Sequence, residues 1–129
     1  MSERIEVNKL VSNVALIERF VDLPDLLARV ENDLELLAEL FVMFQEELPV
    51  LQATLHDAIN IGDLPQTATA AHTLKGMLAN MSMKQGASLA ASIEAAARSG
   101  NIQAVKVTLV AFDSEIAAVS AAVDAFVAG

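Results

Sequence analysis

The sequence predicts an all-α protein, an antiparallel up-down-up-down four-helix bundle with a short N-terminal helix or extension. The first observation behind this is composition: 54% of the 129 residues are hydrophobic and only 5 are Gly and 3 Pro, which favours helices. The second is spacing, because apolar residues recur at steps of three and four, as on one helix face. No segment shows the alternation of a strand, and the length suits one domain.

The N-terminal part is the least patterned. Residues 1–20 are expected to be an extension or linker, and residues 21–129 to form the bundle domain. Residues 21–30 predict a short helix that covers one end, with Pro24 near its start, where proline costs no hydrogen bond.

The first long helix is predicted from Leu34 to about Ile59. Asn32, with Glu35 three residues later, matches a capping box at its start. Pro49 lacks the amide for the hydrogen-bond ladder and should bend the helix or divide it in two. The inward stripe comprises Leu34, Leu37, Phe41, Phe44, Leu48, Leu51 and Leu55.

Three further helices are predicted over about residues 64–81, 83–98 and 102–126. Connections of about two to four residues require each helix to run antiparallel to the one before it. The signals that end one helix and cap the next are Gly62-Asp63, Ser82 with Gln85, and Gly100-Asn101.

Composition also argues against several classes of function. The 8 basic and 17 acidic residues give a net charge of −9, which repels nucleic acid and anionic lipid and favours a protein partner. The absence of cysteine excludes disulfides and thiolate zinc sites. Polar residues interrupt each apolar stretch before the roughly 18 residues of a membrane span, and the start does not resemble a signal peptide. We therefore expect a cytoplasmic monomer without membrane insertion.

One histidine has a setting suited to chemistry. His72 lies outside the inward arc of its helix, with Lys75 one turn further on. A neutral imidazole is a nucleophile at pH 7, and a lysine beside it would offset the charge of a phosphoryl group. Gly76 costs its helix about 1 kcal/mol relative to alanine, which the close approach of another backbone or side chain would explain. The small or polar residues expected on this exposed face are Ala68, Thr69, Gly76 and Ala79.

Other chemistry fits less well. A di-iron bundle needs glutamate three residues before each inward histidine, and neither His56 nor His72 has one. We expect no metal site, and His56 is expected to be a solvated residue. No base accompanies a nucleophile as in a hydrolase, and no glycine-rich loop would bind a nucleotide.

A family resemblance adds to this interpretation. The segment Ala71-His72-Thr73-Leu74-Lys75-Gly76, followed by Ala79-Asn80, resembles the core motif of histidine-containing phosphotransfer (HPt) domains of bacterial-type multistep phosphorelays. Residues 36–41 and 44–49, Ile93-Glu94 and Gly100-Asn101 support it. The resemblance implies that His72 accepts the phosphoryl group through Nε2 and that Lys75 steadies it. It also implies that Gly76 leaves room for a docking receiver domain. We add Ala68, Thr69 and Ala79 to the residues expected to contact that partner.

The resemblance further implies a phosphocarrier without ATP-binding or autokinase activity. It would take a phosphoryl group from the aspartate of one response-regulator receiver domain and pass it to another. No cofactor is expected on this chain, and Mg²⁺ would belong to the receiver. The chain could equally be a domain of a hybrid histidine kinase. Two alternatives stay open: a helical adaptor that binds a receiver or kinase without transfer, and the phosphoacceptor domain of a chemotaxis-type kinase.

Two residues depart from the family pattern. Ser82 stands where glycine is usual and is expected to cap the next helix. Gly86 stands where leucine is usual and is expected to weaken the start of that helix. Lys84 could add positive charge near the docking face or be merely solvated. The sequence does not reveal which residue fixes the tautomer of His72.

Overall fold

A computed structural model describes residues 14–129, and within that range the regular elements are all helical. The predicted all-α class is confirmed, and residues 1–13 of the predicted extension lie outside the described range. A single 3₁₀ turn, Val14–Leu16, precedes the α-helices. The α-helices are α1 (Leu23–Arg29), α2 (Leu34–Asn60), α3 (Leu64–Asn80), α4 (Lys84–Arg98) and α5 (Ile102–Ala128).

Polar side chains set the starts of three long helices. The N-cap residues of α2, α3 and α5 are Asp33, Asp63 and Asn101. Each accepts a hydrogen bond at 3.0 Å from the backbone N–H three residues later, which satisfies a donor that has no partner within the helix. The caps at Asp63 and Asn101 are as predicted. The predicted cap of α2, Asn32, is wrong by one residue. Asn32 has a φ of +60° and lies in the turn before the cap.

Pro49 does not divide α2, which runs unbroken for 27 residues. Proline removes one hydrogen bond of the ladder, and buried side chains on both sides of it, Leu48 and Leu55, fix the helix in the core. Of the two predicted effects of Pro49, the division of the helix is therefore wrong, and the bend stays a prediction.

The predicted apolar stripes form the core. In α2, five of the seven predicted positions are buried, and Leu34 and Leu51 are half-buried. The rings of Phe41 and Phe126 join α2 to α5, with centroids 5.1 Å apart. Helix α2 packs against α3 and α5, and α4 packs against the same two helices. Ile17, ahead of α1, is also fully buried, so the packed part of the chain begins before residue 21.

Ser82 lies in the turn after α3 and does not cap α4, contrary to the prediction. Its φ of +56° lies in the left-handed region, which favours glycine. Its hydroxyl donates to Asp25 Oδ2 at 2.6 Å, and its backbone oxygen accepts from the N–H of Asp22 at 2.9 Å. The N-cap position of α4 is Met83, which makes no capping hydrogen bond through its side chain. The serine thus connects the α3–α4 turn to α1.

Gly86 lies buried in the first turn of α4. A Cβ added there would lie 3.4 and 3.5 Å from the two Cδ atoms of Leu78 and 3.8 Å from Ile116 Cδ1. These are ordinary contact distances, so the position has room for a methyl group.

Within residues 14–129, no helix is long and apolar enough to cross a membrane.

Candidate functional site

His72 lies on the exposed side of α3, as the sequence predicts. The side chains of Leu74 and Leu78 are fully buried and fix which face of α3 meets the core. The His72 side chain is 62% exposed. A reactant from another molecule can therefore reach the imidazole.

Glu94 of α4 fixes the imidazole tautomer. His72 Nδ1 lies 3.1 Å from Glu94 Oε2, and the Glu94 side chain is only 11% exposed. An ionised carboxylate can only accept hydrogen bonds, so the proton of a neutral His72 ring is assigned to Nδ1. Nε2 then keeps its lone pair, which is the nucleophilic form that the predicted chemistry needs.

Two cations keep Glu94 ionised. Lys75 Nζ donates to Oε1 at 2.8 Å, and Arg98 donates to Oε2 from Nε at 3.1 Å and from a terminal nitrogen at 2.8 Å. The hydrogen bonds from Lys75 and then Arg98 are the main causes that lower the pKa of Glu94 from 4.5 to about 2, against an opposing effect of burial. Glu94 is therefore a carboxylate throughout the neutral range.

The arrangement suits an incoming phosphoryl group. The Glu94 carboxylate offsets one of the two cations, Lys75 and Arg98, and one positive charge is left beside the imidazole. Cations placed beside a transferring phosphoryl group stabilise the charge that it carries. The site thus combines a nucleophile in a defined tautomer with positive charge, in a chain whose net charge is −9.

The predicted docking residues do not all reach the surface. Thr69, Gly76 and Ala79 are exposed, but Ala68 is only 4% exposed and belongs to the core. Helix α3 packs against both α2 and α4, so its buried arc is wider than one stripe and includes Ala68. The prediction that Ala68 lies on the exposed face is wrong.

The packing of the described residues does not require a glycine at position 76. A Cβ added to it would meet none of their atoms within 4 Å. The reason for a glycine in the middle of this helix is thus not found in the described part of the chain.

His56 and Lys84 have partners that the sequence did not reveal. His56 Nε2 lies 2.9 Å from Asp113 Oδ1, so His56 connects α2 to α5 and is only partly solvated. Lys84 Nζ donates to Asp22 Oδ2 at 2.8 Å, with the lysine side chain 71% exposed. Both contacts cross between elements distant in sequence, which a pattern along one helix cannot show.

Sequence reasoning named Glu94 only as part of the supporting segment Ile93-Glu94, without a role at the site, and it missed Arg98. A signal was present, because Glu94 follows the buried Ile93 and Arg98 follows four residues later, the spacing of an ion pair on one helix. Their position beside His72 depends on how α3 and α4 pack, which the sequence alone does not specify.

Comparison with models of known protein families gives a match over most of the helical region. A model of the Hpt domain family matches residues 39–122, about two thirds of the chain, including His72, Lys75 and Glu94. Searches of curated proteins and of solved structures found no match. Hpt domains are phosphocarriers that take part in histidine phosphotransfer in phosphorelays. Because the family model matches more than half of the chain, the chain belongs to the Hpt domain family.

Proposed function

We propose that this protein carries phosphoryl groups between receiver domains, with His72 Nε2 as the acceptor atom. The observation that carries the proposal is the contact of His72 Nδ1 with Glu94, together with the 62% exposure of the His72 side chain. It leaves the other ring nitrogen unprotonated and accessible. In this proposal the chain neither binds ATP nor phosphorylates itself.

The transfer step balances without any further reactant. The lone pair of His72 Nε2 attacks the phosphorus of a receiver's aspartyl phosphate. The N–P bond forms as the bond from phosphorus to the carboxyl oxygen breaks, and the electron pair leaves with the aspartate carboxylate. The ring keeps its Nδ1 proton and becomes formally cationic, so the adjacent Glu94 carboxylate stabilises the product. Transfer to the next receiver reverses these steps.

Lys75 is the proposed partner of the phosphoryl group. It lies one turn from His72 on the same helix, and both residues contact the same carboxylate, Lys75 at Oε1 and His72 at Oε2. Its ammonium is therefore close to the ring that would carry the phosphoryl group, where it offsets negative charge.

The surface around His72 supports docking of a partner. Thr69, Gly76 and Ala79 are exposed, and none of them carries a large side chain. A receiver domain could thus approach Nε2 without displacing bulky groups. We place the docking surface on these three residues and leave out the buried Ala68.

An antiparallel bundle would present this surface. Gln45 Nε2 donates to Asp124 Oδ1 at 2.8 Å, and His56 Nε2 lies 2.9 Å from Asp113 Oδ1. As residue numbers rise along α2, those of the α5 partners fall, which supports opposite directions for these two helices. Together with the short connections, this supports the up-down-up-down order for α2 to α5.

Phosphotransfer profiling with a substituted histidine tests the proposal. The purified chain is incubated with each phosphorylated receiver domain of the source genome, alongside the His72→Gln variant and, as a control, His56→Gln. We expect label to pass to the wild type and to His56→Gln but not to His72→Gln. Retained receiver binding by His72→Gln would show that only the acceptor is lost.

Two results would contradict the carrier proposal. Unchanged labelling of His72→Gln would exclude His72 as the acceptor. Receiver binding by the wild type without any label transfer would favour the adaptor alternative.

A further inference from the structure

The two cations at Glu94 contact it in different ways. Lys75 binds Oε1, whereas both Arg98 nitrogens bind Oε2, the oxygen that also accepts from His72. Building on the proposed function, we propose that Arg98 is a positioning residue of the phosphotransfer site. It fixes Glu94 Oε2 against the imidazole, so that Lys75 can leave Oε1 for the phosphoryl group while the His72 tautomer is maintained.

Arg98 and Lys75 lie on different helices, which suits their different proposed roles. Arg98 lies four residues after Glu94 on α4, so this ion pair stays within one helix. Its guanidinium is planar and directs two N–H groups at a single oxygen, which restrains that oxygen more than one ammonium could. Lys75, in contrast, lies on α3 with His72, where its ammonium can bind the phosphoryl group carried by the ring.

The change in charge on transfer gives Lys75 a reason to move. Before transfer, Lys75, Arg98 and the Glu94 carboxylate sum to one positive charge. Transfer adds a phosphoryl unit with one negative charge, after which the ring is cationic and the phosphoryl oxygens carry two negative charges. The new negative charge lies on the phosphoryl oxygens, which phosphorus joins to Nε2 outside the existing contacts of Glu94, and Lys75 is a cation on the same helix as that ring.

Glu94 still needs a cation after Lys75 has moved. Its side chain is only 11% exposed, and a poorly solvated carboxylate without a partner is costly. Arg98 meets this need because it contacts Oε2 and not Oε1. Without Arg98, the single ammonium of Lys75 would have to serve both Glu94 and the phosphoryl group.

Arginine replacement with two readouts tests this role. Arg98→Ala removes both contacts, and Arg98→Lys restores one donor. Arg29→Ala is the matched control, because Arg29 also pairs with a carboxylate four residues earlier, Asp25, at 3.0 Å and away from His72. The readouts are the rate of phosphoryl uptake from a phosphorylated receiver domain and the imidazole tautomer by ¹⁵N NMR. Thermal unfolding confirms that each variant is folded.

The expected results separate Arg98 from Lys75. Arg98→Ala should slow uptake at least about tenfold, because it removes two charge-assisted hydrogen bonds to Glu94 Oε2, and should give a mixture of Nδ1–H and Nε2–H tautomers. Arg98→Lys should recover part of both signals, and Arg29→Ala should match the wild type. Lys75→Ala should slow uptake but keep the Nδ1–H tautomer, because Arg98 still fixes Glu94.

Two outcomes would overturn the inference: an Arg98→Ala variant with the wild-type tautomer, or a tautomer change in Lys75→Ala and not in Arg98→Ala. The tautomer measurement needs no phosphoryl donor. If the wild type itself takes up no phosphoryl group, the carrier proposal fails. The tautomers measured by NMR still decide whether Arg98 positions Glu94.

Discussion

At the scale of single residues, the site depends on one carboxylate. Glu94 accepts hydrogen bonds from His72, Lys75 and Arg98, and it connects the histidine on α3 to α4. The sequence was sufficient to identify His72, since its exposure follows from helical spacing. It was not sufficient for Glu94, because the spacing along α4 does not show which residue of α3 it faces.

The low pKa of Glu94 predicts a pH dependence of stability. Its pKa is about 2 in the folded protein against an ordinary value of 4.5, so folding favours the ionised form. The stabilisation is complete above about pH 4.5 and is lost as the pH falls towards 2. Urea unfolding of the wild type and Glu94→Gln between pH 2 and 7 should show a constant difference in unfolding free energy at the upper end, shrinking below about pH 4.5.

A difference between wild type and Glu94→Gln that stays the same down to pH 2 would contradict this prediction. It would mean that the contacts of Lys75 and Arg98 with the carboxylate do not stabilise the folded protein in solution.

At the scale of elements, the turn between α3 and α4 departs most from expectation. Ser82 has a positive φ where the family usually has glycine, and its hydroxyl donates to Asp25 of α1. The hydrogen bond offsets part of the backbone cost, and it lowers the pKa of the Asp25 carboxyl. The capping pattern of Ser82 and Gln85 was misleading, because a serine hydroxyl can bond to a distant helix as well as to its own.

Replacing Gly86 with alanine should stabilise the protein. The added Cβ would meet Leu78 and Ile116 at ordinary contact distances, and alanine suits a helix better than glycine. We expect a gain of about 1–2 kcal/mol in the free energy of unfolding, from helix propensity and the burial of one methyl group. Urea unfolding at pH 7 measures it.

Gly76→Ala is the matched control for this prediction. It makes the same change in a helix, but its Cβ would meet none of the described atoms within 4 Å, so its gain should be limited to about 1 kcal/mol of helix propensity. Destabilisation by Gly86→Ala would show that the first turn of α4 is packed too tightly for a side chain.

At the scale of the whole molecule, the helical fold was largely predictable from periodicity. The helix starts at Asp63 and Asn101 and the buried stripe of α2 follow from caps and spacing. Contacts between helices were not predictable, including His56 with Asp113 and the burial of Ala68, since they depend on how neighbouring helices are rotated against each other. The candidate site divides in the same way: the sequence assigned roles to His72 and Lys75 of α3, but none to Glu94 and Arg98 of α4.

The central claim, that Nε2 of His72 is the phosphoryl acceptor, can be measured directly. The chain is phosphorylated by a receiver domain and the phosphorylated nitrogen is identified by ³¹P and ¹⁵N NMR. Our account predicts phosphorus on Nε2 of His72, with the Nδ1 proton retained and donated to Glu94. Phosphorus on Nδ1 of His72, or on His56, would contradict it.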